Sequence, residues 1–294
     1  AGVLAAASFA FSPYVVFIDP HARGDLAEHF AICLLPLPFY FLYRLMKGSG
    51  GRGAFAGSVL MLAALVLSHS LLGLVAAVLL LAYWAWMVMF GSGRDRAGWG
   101  ALALVLAWAI IAFYWLPFLM ERDAVRLDVI GSGSHFDFRN HFLSARELLA
   151  PSRALDLGAT APHYRYNLGL AQWLLALSAP LLLVCLVCRR LFKSGAFDRA
   201  LARFRFPSLL YFILAGMGLI VLMLPISVPI WEQVPGMAYL QFPWRLLGPT
   251  GLMLSMCAAS GVILLPKERW RNPVAAVSLG AILLLALPTL YPPA

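Results

Sequence analysis

Charge is what this sequence has least of. Only 12% of its 294 residues are Asp, Glu, Lys or Arg, about half the share with which a soluble domain covers itself in polar surface. That excludes a water-soluble globule. Acidic residues are scarcer than basic ones, 13 against 22. Cysteine is sparse too: Cys33, Cys185, Cys188 and Cys257 all lie in apolar stretches, so no disulfide framework forms in polar loops. Cys185 and Cys188 make a C-x-x-C, but no second pair and no His pair follows at zinc spacing. Two small apolar residues on a spanning helix is the better reading than metal or redox chemistry. The chain opens at Ala1 with neither Met nor a basic n-region, so its first apolar stretch does not read as a signal peptide and is expected to belong to a longer protein.

What is abundant is apolar length. Hydrophobic residues make up 62% of the chain, and about 20 consecutive apolar residues cross a bilayer as a helix. Nine spans are expected, over 1–17, 26–44, 54–68, 70–90, 99–119, 168–188, 208–226, 246–265 and 273–290, in an all-α polytopic bundle forming one membrane domain. The run 54–90 carries no charge. As one helix it would measure about 55 Å, too long for a core of about 30 Å, so a hairpin is predicted with Ser68-His69-Ser70 at its tip.

Charge then orients the bundle. The segments 44–53, 91–98, 189–207 and 266–272 hold 14 Lys and Arg against 3 acids, and the segments 18–29, 120–167 and 227–245 hold 8 Arg against 10 acids. Nine alternating spans place all of the first set on one side, which the positive-inside rule names cytoplasmic. The net charge of +9 is thereby explained by topology, and nucleic acid is not needed as a partner. Five of the six histidines fall in the other set, and His69 sits at the hairpin tip on the same side. The expected location is a bacterial inner membrane with the long 120–167 loop extracytoplasmic.

Three outer segments carry the polar chemistry. In "FIDPHARGDLAEHF" Pro20 and Gly24 mark a turn, Asp25 can cap a helix with Glu28, and Arg23 can pair with Asp19 or Glu28. Glu28 and His29 then lie one turn inside a span, where an ionisable group faces a cavity or a partner. In the 120–167 loop, "NHFLSARELLAP" reads as a short interfacial helix capped by Asn140. His135, Asp137, Arg139 and His141 alternate and would share one side of an extended strand; an ion-paired loop is the better reading than a metal site. Tyr164 and Tyr166 flank Arg165 at the interface. The third segment, 227–245, is proline-broken and re-entrant in character. It ends in "LQFPWRLLGP", which sets Arg245 at a helix start, where the positive end of the macrodipole opposes a cation. A bound phosphate, Asp137 or Glu232 would each supply the missing anion, and snorkelling to lipid headgroups is the third alternative.

"ARGDLAEHFAICLLPL", the "SHS" between two apolar arms, "FRNHFLSARELLAP", "YRYNLGLAQWLLAL" and "LQFPWRLLGP" together resemble a family of bacterial polytopic membrane proteins. That family is labelled 6-pyruvoyl-tetrahydropterin synthase-related and is similar to the GT-C membrane glycosyltransferases. The resemblance implies transfer of a sugar from a polyprenyl-phosphate donor to an envelope acceptor on the extracytoplasmic face. It also implies an acidic base on a first outer loop, expected upstream of Ala1, often with a divalent metal; no metal ligands are assigned here. On that mechanism Glu28 and Asp137 are the candidate bases. Arg23, His69, Arg139, His141, Arg165, Tyr166, Gln241 and Arg245 are the candidate substrate-binding residues. A lipid-linked saccharide flippase or transporter is the alternative, as is a non-catalytic scaffold of envelope assembly. The first predicts charges within the spans and inverted repeats, and neither stands out in the sequence.

Overall fold

A computed structural model describes residues 1–91, 93–121, 136–153, 166–191, 206–265 and 267–290. Among them the chain is all α, without a strand. In order the helices are α1 (Gly2–Ala10), a π-helix (Tyr14–Arg23), α2 (Leu26–Leu34), α3 (Pro36–Met46), α4 (Gly51–Ser68), α5 (Ser70–Met89), α6 (Ala97–Ile110) and α7 (Ala112–Met120). They continue with α8 (Ala145–Leu149), α9 (Leu170–Leu191), α10 (Phe206–Leu222), α11 (Val228–Gln233), α12 (Leu247–Leu264) and α13 (Arg271–Leu290).

Six stretches of the described residues are long and apolar enough to cross a membrane: Gly2–Arg23, Leu26–Met46, Gly51–Ser68, Ser70–Met89, Pro243–Leu264 and Glu268–Leu290. A seventh arises if Pro207–Leu222 and Pro225–Gln233 are taken as one broken span. These mark a helical membrane protein. Each of the nine expected spans falls on helix, but one of them is interrupted. The 99–119 stretch is interrupted at Ile111, between α6 and α7. The Trp115 indole N–H closes that break by donating to the Trp108 carbonyl at 2.9 Å. His135, His163, Tyr164, Arg165 and most of the basic 189–207 loop lie outside the described residues.

The chain forms two compact units. One comprises 1–25, 143–221 and 246–294. Its centre is α12, almost entirely buried, with α9 and α1 against it. Small residues let the helices close: a Cβ on Gly261 would lie 1.9 Å from the Ser178 hydroxyl oxygen. Leu4, Ala171, Val262 and Ile282 meet in its core. Where α1 gives way to the π-helix, Pro13 has no N–H to donate and the Ser12 N–H bonds the Phe9 carbonyl. The carbonyls of Ser8 and Phe11 are left over. Gln172, buried on α9, donates its amide to both, at 3.5 and 2.9 Å. The short helix α8 is capped by Ser144, not Asn140, in a reciprocal capping box with Glu147.

The other unit comprises 26–142 and 222–245. Here α4 is central and packs against α2, α3, α5 and α6. The α4–α5 hairpin turns at His69, as its polar break predicts. His69 is extended there, and its Nδ1 accepts the Leu72 N–H at 3.2 Å to cap α5. Past Leu222 the chain leaves helical geometry, and its free carbonyls are met from within. The Trp231 indole N–H donates to the Leu222 carbonyl at 2.9 Å, and the Ser227 hydroxyl reaches the carbonyls of Leu222 and Leu224. Irregular backbone in a membrane protein persists only with such internal partners.

Candidate functional site

The chemistry of the second unit converges on Glu28. It stands in the first turn of α2, where the helix dipole favours an anion, and its side chain is wholly buried. Two groups from distant parts of the sequence face it. Arg245 places Nε 3.2 Å from Glu28 Oε2, and His69 places Nε2 3.8 Å from the same oxygen. Both side chains are 15% exposed. Because His69 Nδ1 accepts the capping N–H of Leu72, the proton of the neutral ring resides on Nε2, the nitrogen turned to the carboxylate. The anion that Arg245 needs is therefore Glu28, not Asp137 or Glu232.

Arg245 is held on three sides. Beyond Glu28, its Nη1 donates to the Leu240 carbonyl at 3.3 Å, and its guanidinium lies 5.0 Å over the Phe242 ring. Nη2 makes no hydrogen bond or ion pair among the described residues. A guanidinium presents a planar fork that matches phosphate or carboxylate oxygens, and here one tine of that fork is unused.

Phe242 links this group to the rest of the site. It stacks on Trp244 with ring centres 4.9 Å apart, receives His141 edge-on at 4.7 Å and meets Phe136 at 6.3 Å. The segment bearing Phe136 and His141 is fixed to α11. Phe138 stacks on Trp231 at 5.4 Å, and Phe142 meets the same indole edge-on. Arg139 contacts Glu232 Oε1 through Nη2 at 2.6 Å and Nε at 3.1 Å, and Asp137 through Nη1 at 3.4 Å. Asp137 also accepts the Arg139 N–H, capping a 3₁₀ turn over Phe138–Asn140 in place of the extended strand expected there. The hydrogen bond to Glu232 holds the Arg139 guanidinium above its ordinary pKa.

Of the remaining candidates, Arg23 and Tyr166 fall in the first unit, Gln241 in the second and Arg165 outside the described residues. Arg23 contacts Asp19, donates to the Tyr14 hydroxyl at 2.9 Å and pairs with Asp25 at 3.2 Å. Asp19, one of the two partners foreseen, is thus among its contacts. The Tyr166 ring lies 6.5 Å from that of Tyr14. Gln241 adjoins Phe242 and carries an unusual backbone, φ 61° and ψ −43°. Phe242, Trp231 and the Leu240 carbonyl were not singled out from sequence, although an arginine among Phe242, Pro243 and Trp244 signals a guanidinium resting on a ring.

No protein-family model, curated protein or solved structure matches this chain.

Proposed function

We propose that this chain is a GT-C-like membrane glycosyltransferase, moving a sugar from a polyprenyl-phosphate donor to a hydroxyl of an envelope acceptor at the extracytoplasmic face. One observation carries the reading: a buried carboxylate, an imidazole N–H and a guanidinium whose Nη2 has no partner among the described residues meet at Glu28. A lipid-borne donor cannot leave the bilayer, so its phosphate is met by a cation at the membrane interface, and Arg245 is that cation. As the phosphate draws on the guanidinium, Glu28 is released from its ion pair and is held in orientation by His69. The acceptor oxygen forms its bond to the anomeric carbon, and the bond from that carbon to the phosphate oxygen breaks. The leaving polyprenyl phosphate takes the electron pair, and Glu28 takes the acceptor proton. Arg245 stabilises the charge growing on the phosphate.

The test is release of labelled sugar from polyprenyl-phosphate donors by membranes containing the chain. Arg245→Met and Glu28→Gln are each expected to lower the rate by roughly 10²-fold or more, the usual effect of losing an electrostatic stabiliser or a general base. An active wild type whose two variants retain full rate would remove the site assignment. A second reading, a non-catalytic membrane scaffold, is favoured by the closeness of Glu28 and Arg245 to each other, since such a pair also serves to lock two segments. It predicts no sugar release from any donor.

A further inference from the structure

Gln241 is the sole non-glycine among the described residues with a positive φ. At φ 61° and ψ −43° it is the centre of a classic γ-turn, a rare and strained conformation for a residue with a Cβ. The turn is closed: the Phe242 N–H donates to the Leu240 carbonyl at 2.6 Å. The Gln241 N–H is itself engaged, on the Ala238 carbonyl at 3.1 Å. The Gln241 side-chain amide makes no hydrogen bond among the described residues, so it does not hold the strain in place. What the turn does is aim a carbonyl. Leu240 C=O, turned by Gln241, is the same oxygen that accepts from Arg245 Nη1. Phe242, which follows in the turn, is the ring beneath that guanidinium.

We propose that Gln241 is a positioning residue whose strained γ-turn pre-orients Arg245. The turn fixes Nη1 on the Leu240 carbonyl, so that Nε meets Glu28 and Nη2 is presented to an anionic ligand. The anion, a phosphate ester, rests on the functional reading above; the grip of the turn on Arg245 does not. Backbone and not amide is the active element, which sets an order among substitutions. Glycine adopts the positive φ without a Cβ penalty. Alanine has the same unbranched Cβ as glutamine but no amide. Valine, branched at Cβ, is the least compatible with this conformation.

The whole chain, purified in detergent, is compared as wild type, Gln241→Gly, Gln241→Ala and Gln241→Val, each with Arg245 intact and with Arg245→Met. Hydrogen exchange is followed on the peptide holding the Phe242 N–H, together with Tm. Glycine and alanine are expected to keep the protection of the Phe242 N–H. Valine is expected to lose it and to lower Tm, and the loss of Tm should shrink by at least half when Arg245 is already Met, because the two changes remove one interaction. Valine behaving like wild type, alanine failing as valine does, or a valine effect of equal size in both backgrounds would each overturn the proposal. Binding of polyprenyl phosphate against uncharged polyprenol separates the two claims. A wild type that does not discriminate phosphate from alcohol removes the functional reading, while the thermal comparison still decides the turn. A discriminating wild type should lose about tenfold in phosphate affinity with valine and none with glycine.

Discussion

At the scale of single residues, the decisive feature is that Glu28 and Arg245 are buried together. Removing one member of a buried ion pair leaves the other uncompensated and costs about 3–5 kcal/mol, whereas replacing both with apolar groups of similar volume is often neutral. Glu28→Leu and Arg245→Met are therefore each expected to lower thermal stability sharply. The double variant should be more stable than either single one, as read from Tm in detergent. Arg139 behaves differently. It is exposed, and its ion pair with Glu232 is open to screening by salt. Its pKa is raised, so this contribution is complete below the ordinary arginine value and is lost as pH rises through the raised folded one. Arg139→Ala should thus leave the pH profile of Tm unchanged through neutral and mildly alkaline pH, and its small effect should vanish at high ionic strength. The sequence makes the need of Arg245 for an anion legible, because an arginine at a helix start is unfavourable by itself. It does not disclose that the anion is Glu28, since nothing local ties residues so far apart. Nor does it signal Gln241, because glutamine carries no preference for positive φ.

At the scale of elements, the breaks matter more than the helices. Hydrophobic length and the Ser68-His69-Ser70 interruption foretell the α4–α5 hairpin, and the helix ends fall where the polar break stands. The π-helix is not legible: Pro20 and Gly24 read as a turn, yet Pro20 is carried within a ten-residue helix. The partners that make such irregular backbone tolerable come from elsewhere in the fold. Gln172 is one. Gln172→Leu leaves the buried Ser8 and half-buried Phe11 carbonyls without that donor and is expected to cost about 1–3 kcal/mol, visible as a lower Tm. The hairpin is also tight. A Cβ on Gly73 would lie 2.5 Å from the Val66 Cα, so the backbone itself must shift. Gly73→Ala is expected to destabilise, by about 1–3 kcal/mol as overpacking does. Gly53→Ala, with open space at its Cβ, is the matched control and should be nearly neutral.

At the scale of the whole molecule, composition was enough for the class. A chain this poor in charge and rich in long apolar runs has helices as its simplest answer in lipid, because every backbone group is then satisfied within its own segment. The number of spans was less legible, since a window of apolar residues does not register the interruption at Ile111 or the irregular stretch after Leu222. Sidedness is proposed from charge alone. In a cysteine-free background, single cysteines placed in 47–52 and 267–271 should be labelled only from the cytoplasmic side, and those in 136–142 only from the opposite side. The central claim, that Arg245 with Glu28 forms the seat of a lipid-borne phosphate, is tested most directly by equilibrium binding of polyprenyl phosphate and uncharged polyprenol to the chain in nanodiscs. The account predicts that wild type prefers the phosphate by at least tenfold and that Arg245→Met abolishes the preference while polyprenol binding stays the same. Equal binding of the two lipids by wild type, or an undiminished preference in the folded Arg245→Met variant, would contradict it.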